Sequence, residues 1–182
     1  YLIIGGTGSL GKALIERLKD DNVVGIFSRD EAKQWTIKNQ ERHHENLRFF
    51  VGDIRDYDRV ENVLTTFNPD TVIIAAALKQ VDTCELSPVE SIKTNITGPS
   101  NVVSAIEKNI QRLSCKTVVM VSTDKACEPV NVYGMCKSIA ERIVTSKSQF
   151  FDEDRIKFIA TRYGNVLDSR GSIIPLFKYQ CL

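Results

Sequence analysis

Six short apolar runs alternate with longer amphipathic stretches along the chain, and nothing else limits its possible folds as sharply. The runs lie at residues 1–4, 23–27, 47–51, 71–77, 117–121 and 157–161. Each is apolar almost without a break, as a strand buried on both faces must be. The stretches between them, at 10–19, 31–44, 60–67, 88–109 and 132–151, are helical candidates. Strands of about five residues alternating with helices of about 10 to 20 make βαβ units. The expected fold is α/β: one doubly wound parallel sheet of the Rossmann kind, with helices on both faces. The 182 residues, 42% of them hydrophobic, suffice for one such domain with a real core.

Local signals mark several boundaries. Ser87-Pro88-Val89-Glu90 reads as a capping box with Pro at the first helical position. Pro99 falls inside the same helix and should kink it, because it donates no backbone hydrogen bond. Asn68-Pro69-Asp70 is a turn into the fourth strand. Residues 163–175, with Gly164, Gly171 and Pro175, read as a loop.

Charge and cysteine usage exclude several classes. Lys plus Arg number 24 and Asp plus Glu 23, a net charge of +1. That balance offers nothing to nucleic acid or to an anionic membrane surface. No run approaches the ~18 apolar residues that a bilayer span requires. The five cysteines form no C-x-x-C pair, so neither a disulfide framework nor a zinc cage is expected, and a reducing, cytoplasmic setting fits. No metal site is expected either: His43 and His44 are adjacent in a charged run that reads as a solvated helix end. The sequence begins at Tyr1 within an apolar run, shows no signal peptide and stops without a terminating pattern, so a fragment is expected.

The chemistry begins at Gly5-Gly6-Thr7-Gly8-Ser9-Leu10-Gly11, directly after the first run and opening a helix. Gly5 suits a tight turn, Gly8 a close approach to a pyrophosphate, and Gly11 close helix–strand packing. The helix N-terminus adds N–H groups and positive potential. After the second strand an NAD site usually places an acid. Here the chain reads Ser28-Arg29-Asp30-Glu31-Ala32-Lys33. Arg29 and Lys33 with Ser28 suit a 2′-phosphate, so NADP is the expected cofactor. Asp30 competes as a ribose ligand but also fits as a helix N-cap. Asp53 and Ile54, past the third strand, could line the adenine, and Asp53 could equally cap a turn. Ala75 and Val166 complete the expected cofactor contacts.

The fifth strand runs into Ser122-Thr123-Asp124-Lys125, at the carboxyl end where such sheets bind ligands. Tyr133 and Lys137 follow at i and i+4, on one helical face. An ammonium beside a phenol favours the phenolate and lowers its pKa, as proton removal during hydride transfer requires.

Taken together, these segments resemble an extended short-chain dehydrogenase/reductase, and specifically the UDP-N-acetylglucosamine 4,6-dehydratases of the polysaccharide-biosynthesis family. The matching pieces are the glycine loop, Phe27-Ser28-Arg29-Asp30, Ala76-Ala77-Leu78-Lys79-Gln80-Val81, Lys93-Thr94-Asn95, Ser122-Thr123-Asp124-Lys125-Ala126, Asn131-Val132-Tyr133-Gly134 with Lys137, and Arg162-Tyr163-Gly164-Asn165-Val166. They run nearly end to end and in order. Ile4 stands where the family usually has Thr, and Pro99 where a helix former is expected; neither touches the chemistry.

The resemblance implies roles. Tyr133 removes the C4 hydroxyl proton while hydride passes to NADP. Lys137 lowers the Tyr133 pKa and binds the nicotinamide ribose, and Thr123 hydrogen-bonds the C4 hydroxyl. Lys125 takes the C5 proton, Asp124 protonates the departing C6 hydroxyl, and hydride returns to C6. From the residues alone, Asp124 and Lys125 could exchange roles. Lys79, Ser122, Asn165 and Arg170 surround the UDP-sugar, with Arg170 on its phosphates. The resemblance also implies a homo-oligomer, and a further C-terminal substrate region of which only the part from about residue 163 is present. A 4-epimerase or reductase shares every feature except the Asp124–Lys125 pair, and a dinucleotide-sensing protein could dispense with Tyr133 and Lys137.

Overall fold

A computed structural model of the chain describes residues 1–42, 45–152, 154–166, 177 and 180. Six strands form one sheet in the order β3-β2-β1-β4-β5-β6. They are β1 (Leu2–Ile4), β2 (Val24–Ser28), β3 (Leu47–Val51), β4 (Thr71–Ile74), β5 (Thr117–Thr123) and β6 (Lys157–Tyr163). Every neighbouring pair is parallel, with Ile3 registered against both Ile26 and Ile73. The order turns at β1, where the chain crosses from one half of the sheet to the other. This is the doubly wound topology the alternation of elements predicts.

Strand alternation divides the core between two faces. Leu2 and Ile4 face one side with Val72, Ile74, Val118 and Met120. That side is covered by α3 (Tyr57–Phe67), α6 (Gly98–Lys108) and α7 (Val132–Thr145). Ile3, Val24, Ile26 and Val121 face the other, under α1 (Ser9–Leu18) and α2 (Glu31–Gln40). β1 is buried along its whole length, and each fully enclosed Leu or Ile contributes roughly 1.5–3 kcal/mol.

Among the described residues, three α-helices start at side-chain caps. Asp30 accepts from the Lys33 N–H, Asp56 from that of Arg59 and Asn131 from that of Gly134. Asp30 therefore has the capping role. α3 starts at Tyr57, earlier than its apolar pattern suggests, because Asp56 caps it.

The expected helix over 88–109 is not one α-helix. α5 (Pro88–Ile92) passes into a π turn at Lys93–Thr97 and then into α6. Pro99 has no N–H for an i−4 bond, and the wider turn accommodates it. A short helix not anticipated from the sequence, α4 (Val81–Leu86), precedes them. The capping box is also corrected. Ser87 is the N-cap residue but its side chain makes no cap bond, and the Glu90 carboxylate is paired instead with Arg55 at 2.7 Å and Lys93 at 2.9 Å.

Candidate active site

The glycine loop joins β1 to α1 at the carboxyl edge of the sheet, beside its turning point. Gly5 has φ of +91°, and a side-chain carbon there would stand 2.6 Å from the Ala76 nitrogen. The close approach sets the end of β4, including Ala75, against the loop. A carbon on Gly11 would collide with the Gly6 carbonyl. Gly8 differs, because its nearest obstacle is the Gly5 oxygen at 3.3 Å, so protein packing alone does not demand glycine there. Unlike α2, α3 and α7, α1 has no side-chain cap, and its first turn carries no acid. An uncapped helix N-terminus with room above Gly8 fits a pyrophosphate. Ser9 and Leu10, in the first turn of α1, are exposed.

The ribose side is organised by buried hydroxyls. Thr7 Oγ1 lies 2.7 Å from Ser28 Oγ, tying the loop to the end of β2. Ser28 Oγ also accepts from the Asp30 N–H. Arg29 is largely exposed, 3.7 Å from Asp53. Lys33 is paired with Asp30, which leaves Arg29 as the more available cation. Asp53 accepts from the backbone N–H and the guanidinium of Arg55. Burial raises its pKa, but Arg55 and Arg29 outweigh that and hold it below the usual carboxylate range. The Ile54 side chain is turned into the core against Gly98. Val166 is exposed just beyond β6.

The residues expected to be catalytic gather where β5 meets α7. Thr123 Oγ1 donates to Asp124 Oδ1 at 2.9 Å. Lys125 Nζ donates to the same oxygen at 3.2 Å and to Asn165 Oδ1 at 3.3 Å. Asp124 and Lys125 lie in a 3₁₀ turn, Asp124–Ala126. A side chain on Gly134 would strike the Lys125 carbonyl, so glycine beside Tyr133 is what lets α7 abut this turn. Its place in the sequence gives no hint of that contact.

Tyr133 and Lys137 are both buried, but not in the expected electrostatic relation. Lys137 Nζ donates to the Val121 carbonyl at 2.6 Å. Burial draws the Lys137 pKa down to about 8, against the field of Glu141. Burial, aided by Tyr163, pushes Tyr133 up to about 12, although the Thr123 hydroxyl favours the phenolate. Desolvation of the phenolate dominates, so the net shift runs opposite to the lowering expected from Lys137. Asp124 is lowered by hydrogen bonds from Thr123 and Lys125, so it rests as a carboxylate.

Of the expected substrate residues, Asn165 joins the Lys125 cluster and Lys79 stands exposed on the loop after β4. Asn95 fixes that loop by accepting from the Leu78 N–H at 2.9 Å and donating to its carbonyl at 2.8 Å. Ser122 is 1% exposed and turned toward Glu141, on the opposite side of the strand from its neighbour Thr123. Arg170, His43, His44 and Cys181 lie outside the described residues.

Known proteins are similar to this chain along nearly its whole length. A UDP-glucose 4-epimerase from Rickettsia typhi is 40% identical over 98% of this chain and 52% of its own length. An inverting UDP-N-acetylglucosamine 4,6-dehydratase from Campylobacter jejuni is 41% identical over 97% of this chain and 52% of its own. The crystal structure of Pen from Bacillus thuringiensis superposes with a TM-score of 0.90 at 41% identity, covering 98% of this chain and 56% of that one. This chain thus spans about half the length of the curated relatives it matches. The polysaccharide biosynthesis protein family matches residues 1–182, and the chain belongs to that family.

Proposed function

We propose that this chain is the cofactor-binding and catalytic part of a sugar-nucleotide enzyme, an NADP-dependent UDP-N-acetylglucosamine 4,6-dehydratase serving deoxy-sugar or polysaccharide biosynthesis. One observation carries the reading: a second acid–base pair, Asp124–Lys125, is hydrogen-bonded at 3.2 Å beside Tyr133. Oxidising an alcohol occupies one proton-transfer group, and eliminating water requires two more. A simple reductase has no use for the extra pair, and a dinucleotide sensor has no use for Tyr133 and Lys137.

The α1 N-terminus and Gly8 would hold the pyrophosphate, Arg29 and Ser28 the 2′-phosphate, and Lys137 the nicotinamide ribose. When bound, the nicotinamide supplies a reversible hydride acceptor. Tyr133 removes the C4 hydroxyl proton, with Thr123 orienting that hydroxyl. Its pKa of about 12 must fall for this, and cationic charge brought close to the phenol is what would lower it. The resulting ketone acidifies C5. Asp124 and Lys125 can then share one proton through their hydrogen bond. With the proton on Asp124, the Lys125 amine takes the C5 hydrogen and Asp124 protonates the leaving C6 hydroxyl. Thr123 and Lys125 favour the Asp124 carboxylate, so this form requires the substrate to displace water.

Lys79 and Asn165 are proposed to face the sugar nucleotide, and Arg170 its phosphates. The proposal extends to a cytoplasmic homo-oligomer. Val89 and Ile92 on α5, and Met135 and Ile139 on α7, are exposed on helices that pack together, which suits association. Among the described residues no helix is long and apolar enough to cross a membrane.

A second reading, sugar-nucleotide 4-epimerase, is favoured by the name of the Rickettsia typhi relative. Full-length protein incubated with UDP-N-acetylglucosamine and NADP, followed by NMR of the product, separates the two. A 4-keto-6-deoxy sugar supports the dehydratase. A C4 epimer with its C5 hydrogen unexchanged establishes the epimerase instead.

A further inference from the structure

Charges of alternating sign run from Arg29 to the start of the π turn, with Arg55 at their centre. Arg55 lies two residues past Asp53, the spacing at which an Asp side chain reaches a backbone N–H ahead of it. Asp53 Oδ1 accepts from the Arg55 backbone N–H and from its Nε, each at 3.0 Å. Oδ2 accepts from Nε at 3.0 Å and from Nη2 at 2.7 Å. The other branch, Nη1, donates to Glu90 Oε2 at 2.7 Å, and Lys93 donates to Glu90 Oε1 at 2.9 Å. At the opposite end, Arg29 Nη1 stands 3.7 Å from Asp53 Oδ2, an ion pair without a hydrogen bond.

The chemistry above gives Arg55 no task, yet its backbone is fixed as firmly as its side chain. Asn101 of α6 donates to the Ile54 carbonyl at 3.1 Å and to that of Arg55 at 3.0 Å. Ile54 is wedged beneath Gly98. The turn carrying Asp53 and Arg55 is thus anchored to α6, and the guanidinium is held between Asp53 and α5. This clamp has a consequence for Arg29. An ionised carboxylate offers about four lone-pair sites. Arg55 occupies both Asp53 oxygens twice over, so no site is left for Arg29. An open Asp53 at that distance would take Arg29 in a bidentate pair, a short and strong arrangement. It would also set an uncompensated negative charge beside any incoming phosphate.

We propose that Arg55 is a positioning residue for cofactor choice: by saturating Asp53 it keeps Arg29 free for the 2′-phosphate of NADP. The inference rests on the NADP reading above, and its test is binding rather than turnover.

The test is calorimetric titration of the full-length protein with NADP and with NAD, read as the ratio of the two affinities. Damage confined to the turn would weaken both nucleotides and leave the ratio in place. Arg55→Met should lower the ratio at least about tenfold, the scale of one charged hydrogen bond withdrawn. Arg55→Lys keeps the charge but loses the planar fork, and should lower the ratio about threefold. Arg55→Met/Asp53→Asn removes the captor as well, so the ratio should return to the wild-type value. This double variant also leaves no bare carboxylate at position 53, so with Arg55→Lys it decides the matter if Arg55→Met does not fold. A wild-type ratio in Arg55→Met or in Arg55→Lys overturns the proposal. So does a ratio that stays low in the double variant, since Arg55 would then act without Asp53. Arg29→Ala judges the underlying reading separately: an unchanged ratio there removes Arg29 from the 2′-phosphate, and the proposal falls with it. A ratio lowered by Arg29→Ala but unmoved by Arg55→Met leaves the NADP reading standing and sinks the role of Arg55 alone.

Discussion

The Lys137 ammonium lies 2.6 Å from the Val121 carbonyl oxygen in nearly complete enclosure. A cation in that place opposes folding, since burial draws its pKa from 10.5 to about 8. Between those values the unfolded chain binds a proton that the native chain lacks, so this group makes native stability rise with pH across that window. Below about 8 the cost is fully present, on the order of 3 kcal/mol. Lys137→Met removes the charge, though it leaves the Val121 carbonyl without its donor at about 1–3 kcal/mol. Wild-type stability relative to Lys137→Met should therefore rise by about 3 kcal/mol between neutral pH and pH ~10.5. Urea denaturation of both proteins at the two pH values measures it. A difference that stays constant would show that Lys137 titrates normally in the fold.

Cofactor choice turns on Arg29, which is 58% exposed and only loosely associated with Asp53, whereas Lys33 is already paired with Asp30. Arg29→Ala should weaken NADP by roughly 10- to 100-fold and leave NAD nearly unchanged, the scale of one charged hydrogen bond. Lys33→Ala should weaken NADP less. Calorimetric titration with both nucleotides decides it. Equal losses for NADP and NAD would remove Arg29 from recognition of the 2′-phosphate.

The glycine loop separates folding from binding. A side chain on Gly11 meets the Gly6 carbonyl, which is backbone and cannot move aside. Gly11→Ala should therefore destabilise the chain by about 1–3 kcal/mol. Gly8→Ala meets only the Gly5 oxygen, at 3.3 Å, and should cost less than about 1 kcal/mol. It should nevertheless reduce dinucleotide affinity tenfold or more, because the added methyl occupies the space above the helix N-terminus. Thermal melts and nucleotide titrations of the two variants test the contrast. A Gly8→Ala protein that binds as well as wild type would place the pyrophosphate elsewhere.

These contrasts also show what the sequence could and could not reveal. The alternation of elements was legible because each strand is buried on both faces and so is apolar throughout. Tyr133 and Lys137 were legible because four residues on a helix make one face. Which side of a strand a residue takes was harder, and the Ser122 side chain faces Glu141. The burial of the Ile54 side chain was hidden for a similar reason, since only the packing of α6 shows that it lies beneath Gly98. The π turn at Lys93–Thr97 is marked in the sequence only by Pro99. The direction of the Tyr133 shift was out of reach, because desolvation depends on the whole surrounding fold. The Arg162–Glu141 pair joins residues 21 apart on different elements, with no local signature.

Lys125 decides between the two readings of the reaction. Its ammonium donates to Asp124 and Asn165, whereas that of Lys137 donates to the Val121 carbonyl, so the two proton-transfer sites can be damaged separately. Lys125→Met keeps chain length and removes the base. Oxidation at C4 should survive, and NADPH should still form on adding UDP-N-acetylglucosamine, followed by its absorbance. Exchange of the C5 hydrogen with deuterated solvent, and release of the 4-keto-6-deoxy product, should fall by at least about 100-fold, the scale of a lost general base. Product formed at the normal rate would remove Lys125 from the elimination altogether, as neither base nor acid. A wild-type protein that exchanges no C5 hydrogen and only inverts C4 would mean that the pair orients substrate for an epimerase. In that case Lys125→Met should raise KM more than it lowers kcat, because a group that only binds acts alike on ground and transition states.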